Sequence, residues 1–293
     1  MSNESPKFNV TLLQPSGYIH SLALSEAAEY VHGLLLDCGY ASRLSTNDLR
    51  DDEHNVLFCA HLLQEDQLPK LPKSTIIFNS EQIENASGWY FQGGVYGQLL
   101  DSHHVWDYSQ NNLHRIGHDR KSYVPFLYSP RLIRTGYERR TDGRLLFYGS
   151  ITRHRQKLLG ELAASGVSVE VLFGQYGEAR DQKMFHAWAI LNLHNSEDVT
   201  TFEPIRCFYP LINGIPVISE SSPADSTAEE FRDAVFFYPP DRLARYVSYL
   251  ASHQQAFHAE AMIKQARFRG GSAVEHMRVA VGRYLQEQVN LSA

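Results

Sequence analysis

The sequence predicts an α/β protein with two parallel sheets, each covered by helices. Short apolar runs alternate with amphipathic stretches, a pattern typical of a parallel sheet with helices on both faces. The alternation runs through the first 125 residues, lapses, and begins again at Leu145. The first apolar run of the second series ends at the glycine turn Gly149-Ser150, and a basic amphipathic segment follows. These observations predict two domains, the second with a phosphate site at its first turn.

The elements of both series can be assigned in order. The first series begins with a strand, FNVTLLQP, and an amphipathic helix, LALSEAAEYVHGLLLDCG, and its later strand candidates are NVLFCAHL, TIIFNSEQ and VWDYS. The second series has the strands LLFY, VEVLFG, WAILNLH, IPVIS and VFFYPP, and then the helices PDRLARYVSYLASH and SAVEHMRVAVGRYLQEQ. The predicted domains are residues 1–125 and 145–271, with a linker at 126–144 and a C-terminal helix at 272–293 that can pack on the first domain.

Composition excludes several classes of protein. The net charge of −6 over 293 residues provides no global basic field for nucleic acid or anionic lipid. Three dispersed cysteines without CxxC spacing argue against a disulfide framework and a zinc site. Fourteen histidines show no HExxH, HxH or DxD pattern, so no metal is predicted. No apolar run reaches the ~20 residues that span a bilayer, and the N-terminus is no signal peptide, so a cytoplasmic location is expected.

The strongest candidate site is the turn at Gly149 and Ser150. A glycine turn that begins a helix exposes backbone N–H groups and the positive helix end, and Arg153 and Arg155 follow in the first turn of the helix. This arrangement suits the diphosphate of a nucleotide. The alternative is an ordinary glycine turn with a solvated basic helix face.

Eight segments in order carry a family resemblance over most of residues 10 to 225: GYIHSLALSEAAE, NVLFCAHLL, FNSEQI, HHVWDYSQNNL, LLFYGSITRHRQKLL, LFGQYGEARD, AILNLHN and FEPIR…LINGIPVISE. The chain resembles GT-B glycosyltransferases, and among them a bacterial group known as family-1-like. The resemblance implies two Rossmann-like domains facing a central cleft. It also implies sugar transfer from a nucleotide-sugar, with the donor held mainly by the second domain and the acceptor mainly by the first.

Four further residues of the second series are candidates for donor binding. Glu203 and Arg206 lie three positions apart and could contact ribose or sugar hydroxyls and phosphate, or form an ordinary ion pair on a helix surface. Many retaining GT-B enzymes have two glutamates eight positions apart here, but Leu211 stands eight after Glu203. His194 ends a strand and is as much a candidate for sugar or phosphate contact as for a structural role. Tyr176 could stack on the base or cover the sheet edge.

In the first domain, candidates follow the ends of predicted strands. Gly17 gives a turn through which backbone can approach a ligand, and His20, Glu81 and Asp107 are candidate catalytic bases. His20 has the alternative of a helix cap or surface residue. Trp106 and Tyr108 could form a wall that stacks on a sugar, or could simply be core residues.

The sequence therefore predicts a metal-independent glycosyltransferase that moves a hexose or pentose from a nucleoside-diphosphate sugar to an acceptor hydroxyl. The acceptor is left open among a glycan, a small molecule, a protein and modified DNA. Three alternatives remain: a glycosyltransferase acting on hydroxymethylated bases in phage DNA, a sugar-nucleotide epimerase, and a non-catalytic nucleotide-binding protein.

Overall fold

The protein divides into two compact units. The structure, a computed structural model, describes residues 5–83, 93–198, 202–221 and 229–292. The first unit comprises Met1–Phe126 and Ser272–Ala293, and the second comprises Leu127–Gly271. The segment 127–144, which the sequence assigns to a linker, belongs to the second unit, where Arg139 donates hydrogen bonds to the carbonyls of Phe185 and Ala187.

The first unit contains a parallel six-stranded sheet. Its strands are β1 (Lys7–Leu12), β2 (Ala41–Thr46), β3 (His54–Phe58), β4 (Thr75–Asn79), β5 (His104–Asp107) and β6 (Lys121–Tyr123), in the order β2-β1-β3-β4-β5-β6. The helices before residue 126 are α1 (Ser25–Asp37), α2 (Val95–Ser102) and α3 (Gln110–Arg115). The sequence analysis assigned no strand to β2 or β6, the two edges of the sheet, because β2 has no apolar run and β6 has only three residues.

The second unit contains a parallel five-stranded sheet. Its strands are β7 (Leu145–Tyr148), β8 (Val169–Leu172), β9 (Ile190–Asn192), β10 (Val217–Glu220) and β11 (Phe236–Tyr238), in the order β11-β10-β9-β7-β8. Its helices are α4 (Arg153–Ala164), α5 (Gly177–His186), α6 (Phe208–Ile212), α7 (Glu229–Arg232), α8 (Pro240–Ser252) and α9 (Gln254–Phe268). The sequence did not predict α9, because much of its buried face is small or polar, with Ala261 and Gln265 among its buried residues.

The last helix, α10 (Val274–Ser292), packs on the first unit. The hydroxyl of Tyr284 is fully buried there, lies 2.9 Å from His54 Nδ1 and donates to the Ser74 carbonyl at 2.9 Å. Glu287 Oε2 lies 2.6 Å from His104 Nδ1 at the start of β5. The Tyr284 ring also packs edge-to-face on the rings of His54 and His104. Ring packing and hydrogen bonds therefore join this helix to the amino-terminal side of the sheet.

The strand orders define where ligands are expected. In each sheet the order reverses next to the first strand of the unit, between β1 and β3 and between β7 and β9. Neighbouring crossovers leave in opposite directions at such a switch point, so the loops there separate and open a crevice at the carboxyl ends of the strands. The turns at Gly17 and Gly149 both follow a switch-point strand.

Candidate functional site

In the second unit, a turn at Gly149 connects the end of β7 to the start of α4. Gly149 has a φ of 143°, a backbone conformation that residues with side chains rarely adopt, and its N–H donates to the Leu172 carbonyl at 3.1 Å. The Thr152 hydroxyl accepts a hydrogen bond from the Arg155 N–H at 3.4 Å and donates to the Asn195 carbonyl at 2.7 Å. The turn is thus anchored to two neighbouring strand ends, beside a helix N-terminus that favours an anion.

Arg155 is the buried support of this turn, with 0% of its surface exposed. Its Nη1 donates to the carbonyl and hydroxyl oxygens of Ser150 at 3.0 and 3.2 Å, and its Nε and Nη2 donate to the Leu193 carbonyl at 3.2 and 3.0 Å. Nε also lies 3.0 Å from the His194 carbonyl. Burial, together with the positive charge of Arg206, lowers the pKa of Arg155 to about 10, so the group stays charged at neutral pH. The side chain fixes the turn but offers no surface to a ligand.

Arg206 and Glu203 form the exposed part of the same cluster. Arg206 Nη1 donates to Glu203 Oε2 and also to the Leu193 carbonyl at 3.3 Å. Glu203 Oε2 lies 3.8 Å from Arg155 Nη2. The side chains of Glu203 and Arg206 keep 19% and 24% of their surface exposed, so both can reach a ligand in solvent.

The side of Gly149 where a side chain would stand faces both guanidinium groups. A Cβ at this position would lie 3.7 Å from Arg155 Nη1, 3.7 Å from Arg206 Nε and 3.5 Å from the Phe147 ring. A glycine turn, a helix N-terminus and two cations therefore converge on one point at the carboxyl end of β7. These are the groups that bind phosphate oxygens in proteins.

A buried pair supports the neighbouring strand end. Glu220, the last residue of β10, accepts a hydrogen bond from the His194 N–H at 3.0 Å and lies 2.8 Å from His154 Nε2. The His194 ring is itself buried, and burial lowers its pKa, so it is neutral at pH 7. The sequence analysis missed His154 and Glu220. The position of Glu220 at the end of a predicted strand next to His194 was the signal that could have found it.

The remaining predicted residues of the second unit lie at the rim. Ser150 and Arg153 are exposed, and Arg153 occupies the first position of α4. Tyr176 is half-buried and directly precedes α5, beyond the end of the edge strand β8.

In the first unit, Gly17 and His20 follow the switch-point strand β1. Gly17 has a φ of 75°, and the next residue, Tyr18, donates its N–H to the Pro15 carbonyl at 3.0 Å. His20 lies in a 3-10 helix, Ile19–Leu24, and is half-buried, with its ring 5.3 Å edge-to-face from that of Tyr18.

A carboxylate and a histidine meet near the ends of β3 and β4. His61 Nδ1 lies 3.3 Å from Glu81 Oε1, with 8% of the His61 side chain and 22% of the Glu81 side chain exposed. Burial lowers the pKa of His61 to about 4 because desolvation disfavours the imidazolium, so the ring is neutral at physiological pH. Cys59, at the end of β3, has a φ of 60°, which turns the chain sharply toward His61. Glu81 is therefore a partly exposed carboxylate beside a neutral imidazole.

Asp107 lacks the exposed surface that a catalytic base needs. It is fully buried and accepts hydrogen bonds from Asn79 Nδ2 at 2.5 Å, from the Ser109 N–H at 2.7 Å and from Asn112 Nδ2 at 3.2 Å. The prediction of Asp107 as a catalytic base is corrected, because this carboxylate has no exposed surface. The three donors around it show that it instead holds the loops after β4 and β5 together.

The aromatic neighbours of Asp107 are core residues. Trp106 is fully buried, with its ring 6.4 Å from that of Phe8, and Tyr108 is 3% exposed, with its ring 5.8 Å from that of Phe126. The hypothesis of a sugar-stacking wall is wrong, because alternate residues of a strand covered on both faces are all buried.

The raised pKa of buried Asp107 predicts that the stability of the protein depends on pH. Burial raises its pKa to about 7 despite the three donors, whereas an unfolded Asp titrates near 3.9. The folded protein therefore keeps a proton that the unfolded chain releases, so this contribution is complete below about pH 3.9 and is lost as the pH rises through about 7. Between pH 5 and 8, the unfolding free energy should fall by about 2–3 kcal/mol more in the wild type than in Asp107→Asn.

Denaturant unfolding at several pH values measures this difference. Asp101→Asn, at an exposed aspartate of α2, is the control and should follow the wild type. Parallel pH profiles for the wild type and Asp107→Asn would contradict the assignment of a raised pKa to Asp107.

The described ranges contain neither a metal-binding cluster nor a membrane-spanning helix. Within residues 5–83, 93–198, 202–221 and 229–292, no three His, Cys, Asp or Glu side chains are grouped so that they could hold a metal ion. None of the helices in these ranges combines the length and the apolar character needed to cross a bilayer.

Comparison with known sequences gives relatives without an assigned role. No family model matches the chain. Two uncharacterised proteins of Acanthamoeba polyphaga mimivirus are similar: one is 29% identical over 211 residues, covering 66% of this chain and 27% of that protein. The other is 25% identical over 199 residues, covering 66% of this chain and 64% of that protein. The chain thus spans less than two thirds of the length of either relative.

Solved structures similar to this chain are glycosyltransferases. AviGT4, involved in avilamycin A biosynthesis, gives a TM-score of 0.54 at 15% identity, covering 96% of this chain and 97% of its own. Anabaena HepE in complex with UDP and glucose gives 0.58 at 10% identity, covering 99% and 100%. T4 phage BGT in complex with UDP and Mn²⁺ gives 0.55 at 10% identity, covering 95% and 99%.

At these identities the likeness defines the fold. The chain has the GT-B fold of two Rossmann-like α/β units, and the sequence prediction of this fold is confirmed. The narrower resemblance to the bacterial family-1-like group stays a prediction.

Proposed function

We propose that the protein is a glycosyltransferase that moves a sugar from a nucleoside-diphosphate sugar to an acceptor hydroxyl. The observation that carries the proposal is the convergence of the Gly149 turn, the N-terminus of α4 and the guanidinium of Arg206 at the switch point of the second sheet. Glycosyl transfer expels a nucleoside diphosphate, and the charge that develops on it must be met by donors already in place. The likeness to UDP-bound glycosyltransferases supports a nucleotide-sugar donor.

The donor-site residues have different roles in this proposal. The Ser150 N–H, with Arg153 and Arg206, binds the diphosphate, while Gly149 shapes the turn and keeps its own N–H bonded to the Leu172 carbonyl. Arg155 positions the turn and does not contact the ligand, because its guanidinium is buried against backbone carbonyls. His194 contributes its carbonyl to Arg155, and Tyr176 lies beyond the next strand end, where a base can stack.

We further propose that transfer needs no metal ion. The guanidinium groups of Arg155 and Arg206 and the N-terminus of α4 supply positive charge where a metal-dependent enzyme would use a cation. Turnover that is unchanged in EDTA supports this proposal, whereas turnover that EDTA abolishes and Mn²⁺ or Mg²⁺ restores contradicts it.

On the acceptor side, we propose Glu81 as the base. Among the three predicted bases, Asp107 is fully buried and the His20 ring packs edge-to-face on Tyr18, whereas Glu81 keeps 22% of its side chain exposed beside neutral His61. A carboxylate that takes the proton of the acceptor hydroxyl favours direct displacement, which inverts the anomeric configuration.

A second candidate is glycosylation of modified bases in DNA, which the likeness to T4 phage BGT favours. The charge of the first unit argues against it. Residues 1–126 and 272–293 contain 10 Lys and Arg against 17 Asp and Glu, a net charge of −7, which repels a polyanionic acceptor. Retention of the protein on hydroxymethylated duplex DNA at low salt, with transfer of label to it, would favour this candidate over the first.

A thermal-shift panel of nucleoside diphosphates and their common sugar conjugates in EDTA is the direct test of the donor site. One ligand at a hundred times its Kd should stabilise the fold by about 2.7 kcal/mol, a shift of a few degrees. Absence of a response to every nucleotide would contradict the proposed function. Donor turnover without an acceptor would instead indicate an epimerase, and binding with neither transfer nor donor hydrolysis would indicate a non-catalytic nucleotide-binding protein.

A further inference from the structure

One carboxylate lies between the two guanidinium groups of the donor site. Glu203 Oε2 accepts a hydrogen bond from Arg206 Nη1 and lies 3.8 Å from Arg155 Nη2. Both guanidinium groups also approach Gly149, where a Cβ would be 3.7 Å from each. A carboxylate oxygen thus already takes a position that suits an oxygen of a phosphate, since both anions accept hydrogen bonds from the same guanidinium donors.

The two arginines differ in how far their positions depend on the Glu203 carboxylate. Arg155 donates to backbone carbonyls through Nε, Nη1 and Nη2, so its position does not depend on Glu203. Arg206 has the Leu193 carbonyl at 3.3 Å and Glu203, and its side chain is 24% exposed. Arg206 is therefore the cation that can exchange its acidic partner for a ligand.

We propose that Glu203 is an internal competitor for the diphosphate: it positions Arg206 in the ligand-free protein and is displaced from it when the diphosphate binds. This inference rests on the proposed function of the site. With Glu203 in place the three side chains carry a net charge of +1, and without it +2. The carboxylate therefore lowers affinity for the diphosphate and favours release of the nucleoside diphosphate after transfer.

The sequence-based alternative gives Glu203 a direct contact with ribose or sugar hydroxyls. The two roles predict different results for an anion that has no sugar. Removing a competitor strengthens the binding of such an anion, whereas removing a ligand of hydroxyl groups leaves it unchanged.

Titration calorimetry with inorganic pyrophosphate in EDTA separates the roles. Glu203→Gln keeps the size of the side chain and an oxygen that can accept from Arg206, but removes the charge. We expect it to bind pyrophosphate about tenfold more tightly than the wild type, with a steeper loss of affinity as salt increases, because one more uncompensated cation is present.

Two further variants connect the effect to Arg206. In Arg206→Gln, pyrophosphate binding should fall, and adding Glu203→Gln to it should restore much less than tenfold, because the competition acts through Arg206. Glu170→Gln is the matched control in the same unit. It removes a partly exposed carboxylate of β8 that lies 3.0 Å from Lys183 Nζ, and its pyrophosphate affinity should equal that of the wild type.

The outcomes distinguish this inference from the proposed function. If the wild type binds pyrophosphate and Glu203→Gln binds it equally or more weakly, the competitor role is overturned and the donor site stands. If neither the wild type nor any variant binds pyrophosphate or a nucleoside diphosphate, both are overturned. Should Glu203→Gln fail to give a cooperative melting transition, Glu203→Asp, which withdraws the carboxylate from Arg206 by one methylene, should still bind more tightly than the wild type.

Discussion

Replacing Arg206 with alanine should lower turnover by about hundredfold to thousandfold while the fold is retained. Arg206 is the partly exposed guanidinium beside Gly149. In the proposed reaction the leaving diphosphate gains charge there in the transition state. Removing a preorganised donor from such a site costs transition-state stabilisation that water cannot replace. The structural loss is smaller, because Arg155 keeps its contacts with Ser150 and Leu193.

Steady-state kinetics with the donor found by the thermal-shift panel measures this effect, and circular dichroism confirms the fold. Arg242→Ala is the control, because it removes an exposed arginine of α8 in the same unit and should leave turnover within about twofold. Arg153→Ala, at an exposed arginine in the first turn of α4, should cost more than tenfold but less than Arg206→Ala. Near-wild-type turnover of Arg206→Ala would remove Arg206 from the proposed donor site.

Replacing Glu81 with glutamine should lower turnover by about a hundredfold to ten-thousandfold, the contribution of a positioned general base. Glutamine keeps the shape of the side chain but cannot take a proton from the acceptor hydroxyl. His61 does not substitute for it, since a ring whose pKa lies near 4 is a weak base and only 8% of its side chain is exposed. Affinity for the nucleoside diphosphate should be unchanged, because Glu81 belongs to the other unit from the donor-site residues.

The measurement combines three readouts on one variant. Turnover should fall, the thermal shift with nucleoside diphosphate should persist, and NMR of the wild-type product should show inversion of the anomeric centre. Glu65→Gln, at an exposed glutamate of the first unit, is the control with expected wild-type turnover. Full turnover of Glu81→Gln, together with a retained anomeric configuration, would exclude Glu81 as a base and indicate a reaction without one.

Regular alternation in the sequence predicted most of the fold. The strands that the structure contains at Leu145–Tyr148 and Val217–Glu220 were assigned because buried parallel strands are continuous apolar runs bounded by turn residues. The short edge strand Lys121–Tyr123 was missed because three residues have no periodicity. Helix α9 was missed because small and polar residues weaken the pattern of its buried face.

In the candidate site, too, local sequence predicted some features and tertiary packing decided the others. The sequence by itself determined the position of the glycine turn between β7 and α4, because an apolar run that ends at a glycine before a basic amphipathic segment predicts a strand, a turn and a helix. It could not tell which arginine faces a ligand, because Arg153 and Arg155 are two positions apart and their directions depend on how α4 packs. The tertiary structure buries Arg155 against two backbone carbonyls of the loop after β9 and brings Arg206, from about fifty residues further along the chain, to the side of Gly149 where a side chain would stand.

Tertiary packing, and not local sequence, also distinguishes Glu81 from Asp107. Both are acidic residues at or just after a strand end in the sequence, and local pattern gives them equal standing. Only the packing of the loops after β4 and β5 leaves one carboxylate partly in solvent and surrounds the other with three donors. The sequence determined the strands, the turns and the chemical groups at their ends, whereas burial and long-range contacts decided which of those groups can meet a substrate.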